Sequence, residues 1–208
     1  MFPLGSVLFP HTPLVLRIFE PRYLTMMGRL LDEEDPAFGV VLIERGLEAG
    51  GGDERAALGT LARIVQLEAG ADDVYVVAVG GERISVDRWH PDDPHPIADA
   101  SPLPALVWDD DLRDLHREAE RVVRRVAHLA AVLEEARWDP DTALSDDQVE
   151  SSWQLAAIAP LGEYDRFRLL RSSSLEGLLR ALIDLCREEE PVLIARVADP
   201  DGPDLSTE

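Results

Sequence analysis

LRIFEPRYLTMM, residues 16–27, sets three ionisable side chains, Arg17, Glu20 and Arg22, in an otherwise apolar run with a proline in its middle. Pro21 fixes its own φ and biases Glu20 toward extended backbone. The stretch therefore predicts a strand ending at Glu20 and a helix opening at Arg22, with Pro21 in or near the first turn, where its missing N–H is not needed. Glu20 falls at the helix N-terminus, where a carboxylate caps free N–H groups and pairs with an arginine. Arg17, Arg22, Arg63 and Arg83 are the candidate partners. Because Glu and Arg rarely bury unpaired, a structural tie is favoured over a contact site. Phe19 is expected in the core. Met26 and Met27 suit either a core or an adaptable contact surface.

Upstream, LFP and HTP punctuate the start. Downstream, the first half continues as strands and turns. FGVVLIERG (38–46) is β-rich, and GLEAGGGDE (46–54) is a loop. GTLARIVQLE (59–68) alternates apolar and polar positions imperfectly. VYVVAVGGERISVDRW (74–89) reads as two strands joined at a Gly80-Gly81 hairpin turn. HPDDPHP follows as a loop, and IADASPLPALVW, broken by two prolines, suits an edge strand.

The character changes at Trp108. Leu112, Leu115, Ala119, Val122, Val126, Leu129 and Leu133 form a heptad stripe on a long helix. Asp109 to Asp111 stand at its N-terminus, where the helix dipole favours them. Packing on later helices of the same chain is expected, because more helical segments follow. One opens with a Ser145–Gln148 capping box and stops at Pro160. GEYDRFRLLR (162–171) is short. The last opens with a Ser173–Glu176 capping box and aligns Leu175, Leu178, Leu179, Leu182, Ile183 and Cys186, with Pro191 ending or kinking it. PVLIARVA (191–198) fits helix or strand, and an acidic tail expected to be disordered closes the chain. The organisation is thus α+β, with a β-rich part (1–108), a helical part (109–190) and a terminal segment (191–208).

Composition excludes several functions. The 208 residues are 46% hydrophobic, enough for a core. No apolar run approaches the roughly 18 residues of a membrane span. The N-terminus lacks a basic n-region and is broken by prolines, so a cytoplasmic protein is expected. The formal charge of −21 repels phosphate backbones and argues against nucleic-acid partners. All 20 Lys+Arg residues are arginines. Without lysine the chain has no Schiff base, no Ser-Lys dyad and no Gly-Lys-Ser/Thr phosphate loop. The single cysteine, Cys186, precludes an internal disulfide and reads as a small buried hydrophobe. His90, Asp92, Asp93 and His95 have donor types that bind metals, but no third histidine supports a site, and the segment reads as a solvated acidic loop. His116 and His128 lie on the long helix, facing solvent or lining the bundle. No Gly-x-Ser-x-Gly elbow is present.

Phe2-Pro3-Leu4, Leu8-Phe9-Pro10, Pro13-Leu14 and Ile18 to Tyr23 together resemble the opening of the Lon protease N-terminal, substrate-binding domain. FGVVLIERG, GTLARI, GERISV (81–86) and APLGEYDRFRLLRSSSLEGLLRALIDL (159–185) extend the resemblance, in order, to about Glu190. It looks like a stand-alone form without the ATPase and peptidase modules. The resemblance implies a PUA-like β pseudo-barrel followed by a four-helix bundle. It implies binding of unfolded or degron-bearing polypeptides without catalysis or cofactor, as an adaptor in protein quality control beside a separate protease. The substrate-binding set expected beside the opening motif is Arg17, Glu20, Arg22, Tyr23, Met26 and Met27. Two alternatives are a small-molecule-binding or hydrolytic protein on the same barrel, which requires a concave polar pocket, and an RNA-binding protein, which requires a basic face.

Overall fold

In the computed structural model, residues 1–46 and 54–199 are described. The glycine-rich loop around Gly50 to Gly52 and the tail from Pro200 onward lie outside the described residues. The chain is of mixed α+β type and divides into two compact units, Met1–Ala105 and Leu106–Glu208. No helix is long and apolar enough to cross a membrane among the described residues.

The first unit carries strands β1 (Phe2–Leu4), β2 (Pro13–Ile18), β3 (Ala37–Arg45), β4 (Glu54–Ala69), β5 (Val74–His90) and β6 (Ile97–Pro102), with helix α1 (Pro21–Leu30) after β2. The sheet runs β1-β3-β4-β5-β2, and β6 pairs with β5. No pairing among the described residues joins β1 to β2, so the sheet is not a closed barrel. The β1–β3 pair is parallel and the others are antiparallel. As expected for the proline-broken segment, β6 is an edge strand, pairing among the described residues only with β5.

The expected hairpin at Gly80-Gly81 does not form. β5 is one unbroken strand, pairing with β2 along its first part and with β6 along its second. Its glycine answers a tertiary demand. The chain at Phe9 crosses so close that a Cβ on Gly80 would stand 2.1 Å from the Phe9 carbonyl oxygen. Backbone bonds lock the crossing: His11 N–H donates to Gly80 O at 2.7 Å, and Gly80 N–H donates to Thr12 O at 2.9 Å. The imperfect alternation of GTLARIVQLE also has a cause. Register shifts at Thr60/Ala62 and Ile64/Gln66 break the two-residue period of β4 and leave Val65 exposed.

The core of this unit joins Phe2, Leu4 and Leu8 with Ile18, Tyr23, Met26, Met27, Phe38, Val40, Val76 and Ala78. The opening motif thus supplies apolar residues from both sides of its proline. β2 contributes Ile18, and α1 contributes the face bearing Tyr23, Met26 and Met27 at helical spacing.

The second unit holds α2 (Arg113–Val132), α3 (Gln148–Ile158), α4 (Glu163–Leu170) and α5 (Leu175–Ala198), with a 3-10 turn at Asp110–Leu112. α2 packs chiefly on α5 and also on α3, the same-chain packing expected of it. Its buried face is His116, Ala119, Val122, Val123, Val126, Ala127 and Ala130. The ends of the expected stripe, Leu112, Leu115, Leu129 and Leu133, are only half-buried. A strict heptad drifts around a straight helix of 3.6 residues per turn, so the face centred on α5 slides off it at both ends.

Both expected caps move. The α3 cap is Asp147, whose carboxylate accepts from the N–H groups of Val149 and Glu150 at 2.9 Å. Ser145 instead donates to Glu150 at 2.8 Å. The α5 cap is Ser174, accepting from Gly177 N–H at 3.1 Å, rather than Ser173. Several adjacent polar residues can accept the first free N–H groups, and only the entry path of the chain selects one. Pro191 does not end α5, and residues 191–198 are helical. Cys186 is buried, and burial pushes its thiol up to about 12.

Candidate functional site

The junction after β2 brings together part of the expected set. Pro21 takes the first helical position, and Glu20, in extended backbone with ψ of 131°, is the residue before the helix. Glu20 makes no side-chain cap. Its carboxylate turns to Arg22, 3.0 Å from Nη2 and 3.1 Å from Nε. The Arg22 guanidinium also lies 4.5 Å from the Tyr23 ring centroid. Of the four candidate partners, Arg22 therefore holds Glu20. Arg17 bonds Asp73 at 2.6 Å, Arg63 bonds Asp35, and Arg83 donates to Pro104 O at 2.9 Å.

Burial divides the rest of the set. Tyr23, Met26 and Met27 are 2–3% exposed and point into the core, with the Tyr23 ring stacked on Phe2 at 4.1 Å. Phe19, expected inside, is 63% exposed. The alternation of β2 explains this: Leu14, Leu16 and Ile18 turn inward, while Val15, Arg17 and Phe19 turn outward. Arg17 pairs across the ladder with Tyr75, and its guanidinium lies 5.9 Å from that ring. Hydrogen bonding to Asp73 raises the Arg17 pKa further above its ordinary value. Val15, Arg17 and Phe19 thus form an exposed strip along the edge strand β2 and just beyond it, with the exposed Tyr75 of the neighbouring β5 beside Arg17. The two-residue period of a strand is the sequence signal for this strip.

The His90–His95 segment does not gather ligands. His90 meets Asp99 at 2.9 Å, and Asp92 pairs with Arg55 at 2.9 Å. His95 is buried, its Nδ1 bonding Pro96 O at 3.1 Å, and burial lowers its pKa. No group of three or more metal-binding side chains is found among the described residues.

The second unit contains a cavity of about 530 Å³ walled by one side of α2, the segment from Leu144 to Gln148, and Ser151. At its floor the buried His116 places Nε2 2.9 Å from Ser151 Oγ. Trp108 meets the imidazole edge-on at 5.9 Å. Burial lowers the His116 pKa, against a smaller opposing pull from Glu120. Ser151 Oγ also lies 3.2 Å from Gln148 O, within its own helix. The His116–Ser151 bond ties α2 to α3. His116 lines the bundle. No sequence signal marks the cavity, because Arg113, Arg117, Glu120 and Arg124 recur at helical spacing like any charged, solvated helix flank.

The family model of the ATP-dependent protease La (LON) substrate-binding domain matches residues 1–200. Among solved structures, the chain resembles a Lon N-terminal domain protein from Xanthomonas campestris, with 25% identity and a TM-score of 0.61, over 88% of this chain and 95% of the other. It also shares its fold with the N-terminal domain of a Mycobacterium avium complex Lon protease, at 15% identity and a TM-score of 0.60, over 89% of this chain and 97% of the other. No curated protein matches the sequence. The chain belongs to the Lon substrate-binding domain family.

Proposed function

We propose that the protein is a non-enzymatic polypeptide-recognition module that takes extended segments of unfolded or degron-bearing chains onto the open edge of β2. The sheet is read as a PUA-like pseudo-barrel and α2 to α5 as its accompanying four-helix bundle. One observation carries the reading. β2 pairs with β5 and with no other strand among the described residues, while Val15, Arg17 and Phe19 stand exposed at alternate positions. An edge of this kind receives an added strand by backbone hydrogen bonds, and alternate side chains supply selectivity. The substrate-binding description of the family supports the same reading. Within the expected set, Arg17 meets the bound chain. Glu20 and Arg22 flank the proline turn that ends the edge, and Tyr23, Met26 and Met27 hold that turn from the core side. In the cell the module serves as a cytoplasmic adaptor in protein quality control, delivering chains to a separate protease.

Fluorescence anisotropy with a labelled, reduced and carboxymethylated lactalbumin tests this. The full chain should bind the unfolded probe in preference to its native form. Phe19→Ala combined with Val15→Ser should weaken binding about tenfold, the equivalent of about 1.4 kcal/mol. Equal binding of native and unfolded probe, or an unchanged affinity in the double variant, would overturn the proposal.

A further inference from the structure

The cavity of the helical unit has no part in the polypeptide reading, and its charges are unevenly employed. Arg113 is held by Asp110 at 2.9 Å. Arg124 is held by Glu120 at 2.9 Å and by the carbonyl oxygens of Pro140 at 2.6 Å and Thr142 at 3.3 Å. These two guanidiniums are committed to the protein itself. Arg117, one turn beyond Arg113 on the same face, has among the described residues only a solvent-exposed ion pair with Asp114 at 3.5 Å, beyond ordinary charged hydrogen-bond length. The Asp146 carboxylate, on the facing segment, makes no hydrogen bond or ion pair among the described residues. Its main-chain carbonyl accepts from Gln148 Nε2 at 3.0 Å, which anchors the backbone there. One loosely paired cation and one anion without a side-chain partner among the described residues therefore line a single cavity together with the apolar surfaces of Trp108 and Leu144.

This pattern selects among ligand classes. A simple anion would meet Arg117, but it would enter against Asp146 and against the field of a chain carrying −21. A simple cation would find the acidic surface everywhere and gain little from this place. A molecule carrying both charges is neutral in that field and satisfies both groups. A carboxylate on a guanidinium forms a directional, charge-assisted contact. A volume of about 530 Å³ lies within the range of small-ligand pockets. We propose that this cavity binds a small ampholyte, a free amino acid or short peptide, with its carboxylate on Arg117 and its ammonium on Asp146.

Titration calorimetry of the full chain with the dipeptide Ala-Phe tests the site, alongside N-acetyl-Ala-Phe, which lacks the ammonium, and Ala-Phe amide, which lacks the carboxylate. Ala-Phe should bind saturably, and each blocked form about tenfold more weakly, as expected for losing one charged hydrogen bond. Arg117→Gln should erase the preference for the free carboxylate and keep that for the free ammonium. Asp146→Asn should do the reverse. Both side chains are exposed, so the variants should melt with the parent protein. Absence of saturable Ala-Phe binding, or affinities insensitive to blocking or substitution, would overturn the proposal. The anisotropy experiment reads β2 and this one reads the helical cavity, so each proposal can fail alone.

Discussion

Two corners of the chain are built from the same ingredients and held in different ways. At the β2–α1 corner a proline redirects the chain, and Glu20 pairs with Arg22 two residues on, their side chains 27% and 17% exposed. At the α3–α4 corner Pro160 and Gly162 redirect it, and Arg166 faces Glu163 at 3.7 Å. Here the arginine side chain is only 5% exposed. Its Nη1 donates to the carbonyl oxygens of Ala156 and Ala157 at the end of α3, at 3.4 and 3.2 Å. Burial lowers its pKa to about 10, against the pull of Glu163. In the first corner the ion pair decorates a turn that the apolar core already holds. In the second the cation replaces water for the last carbonyls of a helix, a need that no apolar residue meets.

The contrast can be broken by substitution. The largest effect is expected at Arg166→Ala, which strips partners from buried carbonyls and leaves a hole, at a cost of about 4 kcal/mol in urea unfolding. A loss under 1 kcal/mol would make the two corners equivalent. Next is Met27→Ala, where removing a buried side chain from the α1 face should cost about 3 kcal/mol by the same measurement. The smallest effect is expected at Arg22→Ala, where a partly solvated pair should be worth about 0.5 kcal/mol and weaken further in high salt. If Arg22→Ala destabilised the protein more than Met27→Ala, the ion pair and not the core would hold the corner.

The edge strip and the cavity differ in how far the residues announced them. Three of the four residues of LRIF are apolar, which favours Phe19 inside, but its position in the two-residue alternation puts it outside. Glu20 was expected to cap α1, yet a carboxylate with a guanidinium in reach takes the charged partner. The cavity left no legible trace. Its wall is a charged helix flank like many others, and the distinction between the tightly held Arg124 and the loosely paired Arg117 depends on Glu120, Pro140 and Thr142 being folded against Arg124.

The sequence alone determined what is local. Pro21 allows a helix to begin and not to continue back through Glu20, the spacing of Tyr23, Met26 and Met27 gives that helix one apolar face, and the order of motifs identifies the family. These depend on covalent geometry and on contacts within a turn or two, which travel with the residues. Tertiary structure decided the rest. Gly80 lies within a continuous strand because Phe9 crosses it, β2 became an edge because nothing pairs beyond it among the described residues, and Arg124 is tied to distant carbonyls while Arg117 keeps a loose pair within its own helix. Each of these turns on which distant residue arrives at a given place, and no local propensity encodes that arrival.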